Sequence, residues 1–75
     1  MSLWDLWLDN VRQAGYWRDT ARSYFTMARM FRELGDDTHA AGLENSARVA
    51  LDHGRRLIRF AKQNRALAVQ FQRWP

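Results

Sequence analysis

Apolar residues recur along this chain at spacings of three and four, and no stretch alternates with a period of two. That spacing gathers them on one side of an α-helix and argues against strands. In a first arm the rhythm runs through Trp4, Trp7, Val11, Ala14, Trp17, Ala21, Tyr24, Ala28, Phe31 and Leu34. In a second it runs through Ala40, Leu43, Ala47, Ala50, Gly54, Leu57, Ala61, Asn64, Ala68 and Phe71. The interruption between them is Leu34, Gly35, Asp36, Asp37 and Thr38. Gly35 suits the position after a helix, where a positive φ is needed. Asp37 or Thr38 is expected to cap the second helix, whose positive dipole end favours nearby aspartates. Ser2 with Asp5 three residues on reads as a capping-box variant that starts the first helix at once. Each arm, unbroken, is about 48–52 Å long at 1.5 Å per residue.

Gly15 is the weak point of the first arm. The apolar rhythm crosses it without a phase change, which favours a continuous or kinked helix. The alternative is a break that yields helices over 3–14 and 16–34 and a three-helix monomer.

A finer period lies inside the two rows. Ala14, Ala21, Ala28 and Gly35 recur every seven residues, as do Ala40, Ala47, Gly54, Ala61 and Ala68. Folding the chain over 35–38 sets Ala28 opposite Ala47, Ala21 opposite Gly54 and Ala14 opposite Ala61, with Trp7 near Ala68. Facing small residues let two helices approach at the short end of the usual ~8–10 Å separation. The heptad period implies a gentle left-handed supercoil. A mid-helix glycine costs about 1 kcal/mol relative to alanine, so Gly54 signals a packing requirement.

Each arm carries more apolar surface than one partner helix covers. Trp4, Val11 and Phe25 on the first arm, with Leu51 and Ile58 on the second, flank the seam, and Met27, Met30 and Phe60 widen the faces. Such a stripe has the width of a bundle helix. The expected fold is therefore all-α: a long antiparallel helical hairpin, one domain over 1–75, dimerising into a four-helix bundle through Trp4, Val11, Phe25, Leu51 and Ile58.

Composition supports association. Seventy-five residues allow one small domain, which buries little of its surface alone. Domains of this size usually need disulfides, a metal or a partner chain. There is no cysteine, which removes disulfides and fits a reducing, cytoplasmic setting. His39 and His53 stand far apart without cysteine companions, so no structural zinc, other metal or cofactor is expected. Asp5 and Asp9 interrupt the apolar start, so it does not read as a signal peptide. No apolar run of about eighteen residues exists to span a membrane.

The net charge of +4 is unevenly spread. Before Thr38 there are five arginines and six acids; from Thr38 onward there are seven basic residues and only Glu44 and Asp52 oppose them. The second half thus carries the positive field.

Three features are candidates for function. The first is the basic run Arg55, Arg56, Arg59, Lys62, Arg65 and Arg73, interleaved with Gln63, Asn64, Gln70 and Gln72. Arg55, Arg59 and Lys62 share a helix face that could meet nucleic-acid phosphates or an acidic protein. The structural alternative is a solvated face pairing with Asp5, Asp9 or Glu33 of the other arm. The second is the tryptophan-rich start. It could enter a membrane interface or a partner's groove, but its polar side is acidic. The structural alternative packs Trp4 and Trp7, with Trp74, on the Ala68 and Phe71 end of the second arm. The third is Asp36, Asp37 and His39 in the turn, where capping explains the aspartates. No paired carboxylates, Ser-His-Asp or Cys-His arrangement points to catalysis or to a small-molecule substrate.

From Ala21 to about Gly54 the chain resembles one tetratricopeptide repeat. Tyr24, Ala28, Phe31, Leu34, Gly35, Asp36, Ala40 and Ala47 fall at that family's spacing, while Glu44 stands where the family has an aromatic. The match covers under half the chain, and a solenoid needs several repeats. The resemblance implies a helical hairpin and, weakly, protein binding. The expected function is a non-enzymatic protein-interaction or regulatory module, an adaptor or inhibitor of a larger complex. Nucleic-acid binding by the basic second helix is the alternative, and membrane-surface binding a third.

Overall fold

The computed structural model describes residues 2–72. Ser2, with extended backbone, opens α1 (Leu3–Glu33). Its hydroxyl accepts the Asp5 N–H at 3.1 Å, and the Asp5 carboxylate accepts the Ser2 N–H at 3.1 Å. This reciprocal box satisfies two donors that a helix start leaves unpaired. α1 then runs unbroken through Gly15, which overturns the three-helix alternative. The apolar rhythm that crosses Gly15 is what keeps the helix packed on its partner there.

The turn is tighter than the sequence suggested. Leu34 ends α1 and Gly35 takes a φ of 82°. The Gly35 N–H donates to the Arg32 carbonyl at 3.0 Å and the Asp36 N–H to the Phe31 carbonyl at 2.9 Å, a Schellman ending. α2 (Asp37–Gln72) begins two residues after the glycine. The cap is therefore Asp36, not Asp37 or Thr38: its carboxylate accepts the His39 N–H at 3.1 Å. Asp37 is instead the first helical residue, where its charge still favours the dipole.

The two helices pack antiparallel into a rod of 64 × 14 × 13 Å. The buried seam is built wholly from small residues: Ala14, Ala21 and Ala28 on α1, and Ala40, Ala47, Ala50, Gly54, Ala61 and Ala68 on α2. The alanine rows thus face each other as their spacing predicts, but in a shifted register. Ala21 clusters with Ala47 and Ala50 rather than lying opposite Gly54. A Cβ placed on Gly54 would lie 3.4 Å from the Ala14 carbonyl oxygen and 3.7 Å from the Trp17 Cβ. The earlier turn accounts for the shift: centring the fold on Gly35 slides α2 along α1 relative to a turn over 35–38. Gly54 is buried in the seam, but 3.4 and 3.7 Å are ordinary van der Waals distances, so the packing there asks for a small residue and not for glycine itself.

An alanine seam has a consequence for the rest of the rod. Among the described residues no large side chain is fully buried, because these stand beside the seam rather than in it. The accessible surface is 5937 Å², against about 4,800 Å² for a compact protein of this mass. The radius of gyration is 17.3 Å, where a compact chain of this length gives about 11 Å.

Candidate interaction surfaces

The seam divides the rod into two flanks. On each helix, positions one and four residues after a seam residue lie on one flank; positions three and six residues after lie on the other. The first flank holds Arg18, Arg22, Arg29 and Arg32 from α1 and Arg48, Arg55, Lys62 and Arg65 from α2. Glu44 is the one acid at these positions; Arg59 and Asp52, one position further round α2, border the flank. The second flank, from Asn10 and Leu43 onward, carries no Asp, Glu, Lys or Arg at any of those positions among the described residues.

On the first flank the helices leave a groove of about 700 Å³. Val11, Leu51 and Ile58 form its apolar floor with the seam residues Ala14 and Gly54. Arg18, Arg55, Arg59 and Lys62 rim it, and Asp52 is the acid among its lining residues. That acid is already engaged, since the Arg56 guanidinium lies 3.0 Å from its carboxylate. No ion pair to Arg55, Arg59, Lys62 or Arg65 forms among the described residues. Among the described residues the basic run makes no cross-arm ion pair; of the acids that could have met it, Asp5 is held in the capping box and Asp9 accepts the Gln13 amide at 2.8 Å.

Nearer the turn, the same flank is closed by an ion pair. Arg32 Nε donates to the Glu44 carboxylate at 2.7 Å and Arg32 Nη1 lies 3.3 Å from Asp37. The charge-assisted bond from Arg32 holds the Glu44 carboxyl below its ordinary range, and the Arg32 guanidinium is raised in turn. Asp36 is also lowered, by the His39 N–H it accepts and then by the His39 ring, whose Nδ1 lies 2.6 Å away. Asp5 is lowered by the Ser2 N–H and hydroxyl.

The residues expected to carry function are therefore sorted by the fold. Arg55, Arg59 and Lys62 meet at the groove, and Arg65 lies on the same flank. Arg56 points to Asp52 and does not line the groove. Of the expected association residues, Val11, Leu51 and Ile58 come together there. Phe25, 38 % exposed, shares the flank but lies outside the groove. Trp4 instead lines a notch at the open end with Leu3, Ala68, Phe71 and Gln72, and its ring meets Trp7 edge-on at 6.0 Å. Trp4 thus shares that notch with Ala68 and Phe71, whereas Trp7 is not among its lining residues. Arg73 and Trp74 lie outside the described residues.

Arg18 was not singled out from the sequence, although it falls four residues after Ala14, in phase with Val11 and Phe25. Also unforeseen are two ring stacks on the uncharged flank: Trp17 on His53 at 4.9 Å and Phe31 on His39 at 5.3 Å. No helix among the described residues is long and apolar enough to cross a membrane. No family model matches the chain, and comparisons with characterised proteins and with solved structures likewise find no match.

Proposed function

We propose that this protein is a non-enzymatic interaction module, working as a dimer of hairpins in the cytoplasm, that binds an acidic amphipathic segment of a larger protein. The observation that carries the reading is the groove: an apolar floor of Val11, Leu51 and Ile58 beneath the four cations Arg18, Arg55, Arg59 and Lys62. An amphipathic helix with an acidic border fits both chemistries at once. Its apolar face would cover the floor, while its carboxylates would take the guanidinium donors of Arg55 and Arg59, which make no ion pair among the described residues; Arg18 already lies 3.6 Å from its neighbour Asp19. A regulatory role as adaptor or inhibitor follows from occupying such a segment.

The excess of cations on this flank, nine with Arg59 against Glu44 and Asp52, supports a second reading, in which the rod follows a nucleic-acid backbone. Two variants separate the readings. Val11→Asp puts a charge on the floor and leaves every cation in place, whereas Arg55→Glu with Arg59→Glu and Lys62→Glu reverses the rim. Protein binding is expected to fail in both, measured on the stoichiometric protein that the wild type retains after nuclease treatment. Random duplex DNA would be released by the rim variant alone, and its affinity would fall steeply between about 50 and 200 mM salt. Binding of one identified protein that survives Val11→Asp would overturn the groove reading.

A further inference from the structure

The geometry points to the uncharged flank, opposite the groove, as the face on which a second copy of this chain docks. The result is a two-fold four-helix bundle with both basic grooves turned outward. The inference rests on the dimeric reading above and assigns it a face.

In a two-fold contact each patch meets its own copy. Charge therefore decides between the flanks. Closing the basic flank on itself would set nine cations, Arg59 included, against nine, with only Glu44 and Asp52 as acids on each side. Like charges brought together in this way oppose association. The opposite flank carries no such penalty. Apart from the ring-stacked His39 and His53, its polar side chains carry no charge (Gln13, Thr20, Ser46 and Asn64 among them), and each can donate or accept a hydrogen bond with a copy of itself.

The apolar surface left over on this flank also needs cover. Phe60 is 54 % exposed, Leu67 44 %, Met27 39 % and Leu6 37 %, although each stands beside the seam. Trp17, Tyr24 and Leu57 lie between them, half-buried. A lateral face of 64 by 14 Å amounts to about 900 Å², close to the ~800 Å² that each partner contributes to a standard interface. The rod's excess of about 1,100 Å² over a compact protein of its mass is of the same size. One uncharged flank of this length suffices for one copy, and the basic flank need not take part.

The experiment measures mass in solution and then position. The wild type is expected at twice its chain mass of 8.9 kDa by sedimentation equilibrium. Phe60→Glu with Leu67→Glu is expected to give a helical monomer, since both side chains are already half in water. Ile58→Glu, on the groove floor, is expected to remain dimeric. Because the chain has no cysteine, single cysteines report the face directly. His53 and Arg55 both lie near mid-length, so whichever of the two flanks holds the two-fold axis brings its own residue close to its copy, whether the rods run parallel or antiparallel. A short bis-maleimide is expected to link His53→Cys to its copy and to leave Arg55→Cys unlinked. A monomeric wild type would sink the dimeric reading and this inference with it. A dimer that Ile58→Glu dissociates, or that links through Arg55→Cys but not His53→Cys, would leave the dimeric reading standing and overturn the assignment of the face.

Discussion

The Trp17 indole and the His53 imidazole stack across the two arms, ring centroids 4.9 Å apart and planes inclined by 25°. They stand beside Gly54, which is buried in the seam, so the stack covers the seam at mid-length. Aromatic pairs in this geometry contribute about 0.5–1.5 kcal/mol beyond the area they bury. His53→Ala is therefore expected to lower the free energy of unfolding by about that amount in a urea titration. Unchanged stability would show that the contact contributes nothing to holding the arms together.

The seam makes a size-dependent prediction. Ala21 is 1 % exposed and packs with Ala47 and Ala50, so Ala21→Leu has no room. Overpacking of this kind costs about 1–3 kcal/mol. Gly54 should discriminate further. Its alanine variant places a Cβ at 3.4 Å from the Ala14 carbonyl oxygen, an ordinary contact. The helix-propensity gain of about 1 kcal/mol should then appear as a neutral or stabilising change. Gly54→Leu should destabilise as Ala21→Leu does. If both leucine variants melt with the wild type, the arms are not closely packed along these rows.

The alanine rows illustrate what the sequence discloses and what it withholds. A seven-residue period of small side chains is a property of each helix alone, so Ala14, Ala21, Ala28, Ala47, Gly54, Ala61 and Ala68 were legible as the seam. Their partners across it were not, because register depends on where the turn closes. Asp36, Asp37 and Thr38 are all competent caps, and only the Schellman bonds around Gly35 select Asp36. The groove was half-legible. Val11, Leu51 and Ile58 were recognisable as a flank and Arg55, Arg59 and Lys62 as a helix face. That the two coincide, joined by Arg18, follows only once both helices are placed. The ring stacks were not legible, although His39 and His53 stand two heptads apart, as do their partners Phe31 and Trp17, because only the register across the seam pairs them.

Three carboxylates tie stability to pH. Asp36, Glu44 and Asp5 all sit below their ordinary range in the folded protein, held there by the His39 N–H, by Arg32 and by the Ser2 N–H respectively. A lowered folded pKa means that the unfolded chain takes up protons first as pH falls. The stability these groups provide is thus complete above the ordinary carboxylate range of about 4. It is lost as pH drops through that range towards the lower folded values. The midpoint of thermal unfolding is expected to be flat from pH 7 to about 5 and to fall below it. Asp36→Asn with Glu44→Gln should lower the plateau and flatten the acid limb. An acid limb as steep in that variant as in the wild type would remove these groups as its cause.

Arg55 and Arg56 are neighbours in sequence with opposite electrostatic surroundings. Arg56 sits 3.0 Å from Asp52, one turn back along α2. Arg55 rims the groove among Arg18, Arg59 and Lys62. Mutual repulsion along that rim should be relieved by screening, since the Debye length shortens from about 30 Å at 0.01 M salt to about 8 Å at 0.15 M. The wild type is therefore expected to melt at a higher temperature as salt is raised over that interval. Arg55→Gln should stabilise the protein at low salt by a few tenths of a kcal/mol, the scale of exposed charge pairs, and should weaken the salt dependence. Arg56→Gln should do the reverse, losing a favourable pair and leaving the dependence as steep as before. The two variants differ by one position, so helix propensity and exposure nearly cancel between them. Equal effects from both would mean that the groove rim carries no concentrated positive field, and the electrostatic part of its fit to an acidic partner would fall with it.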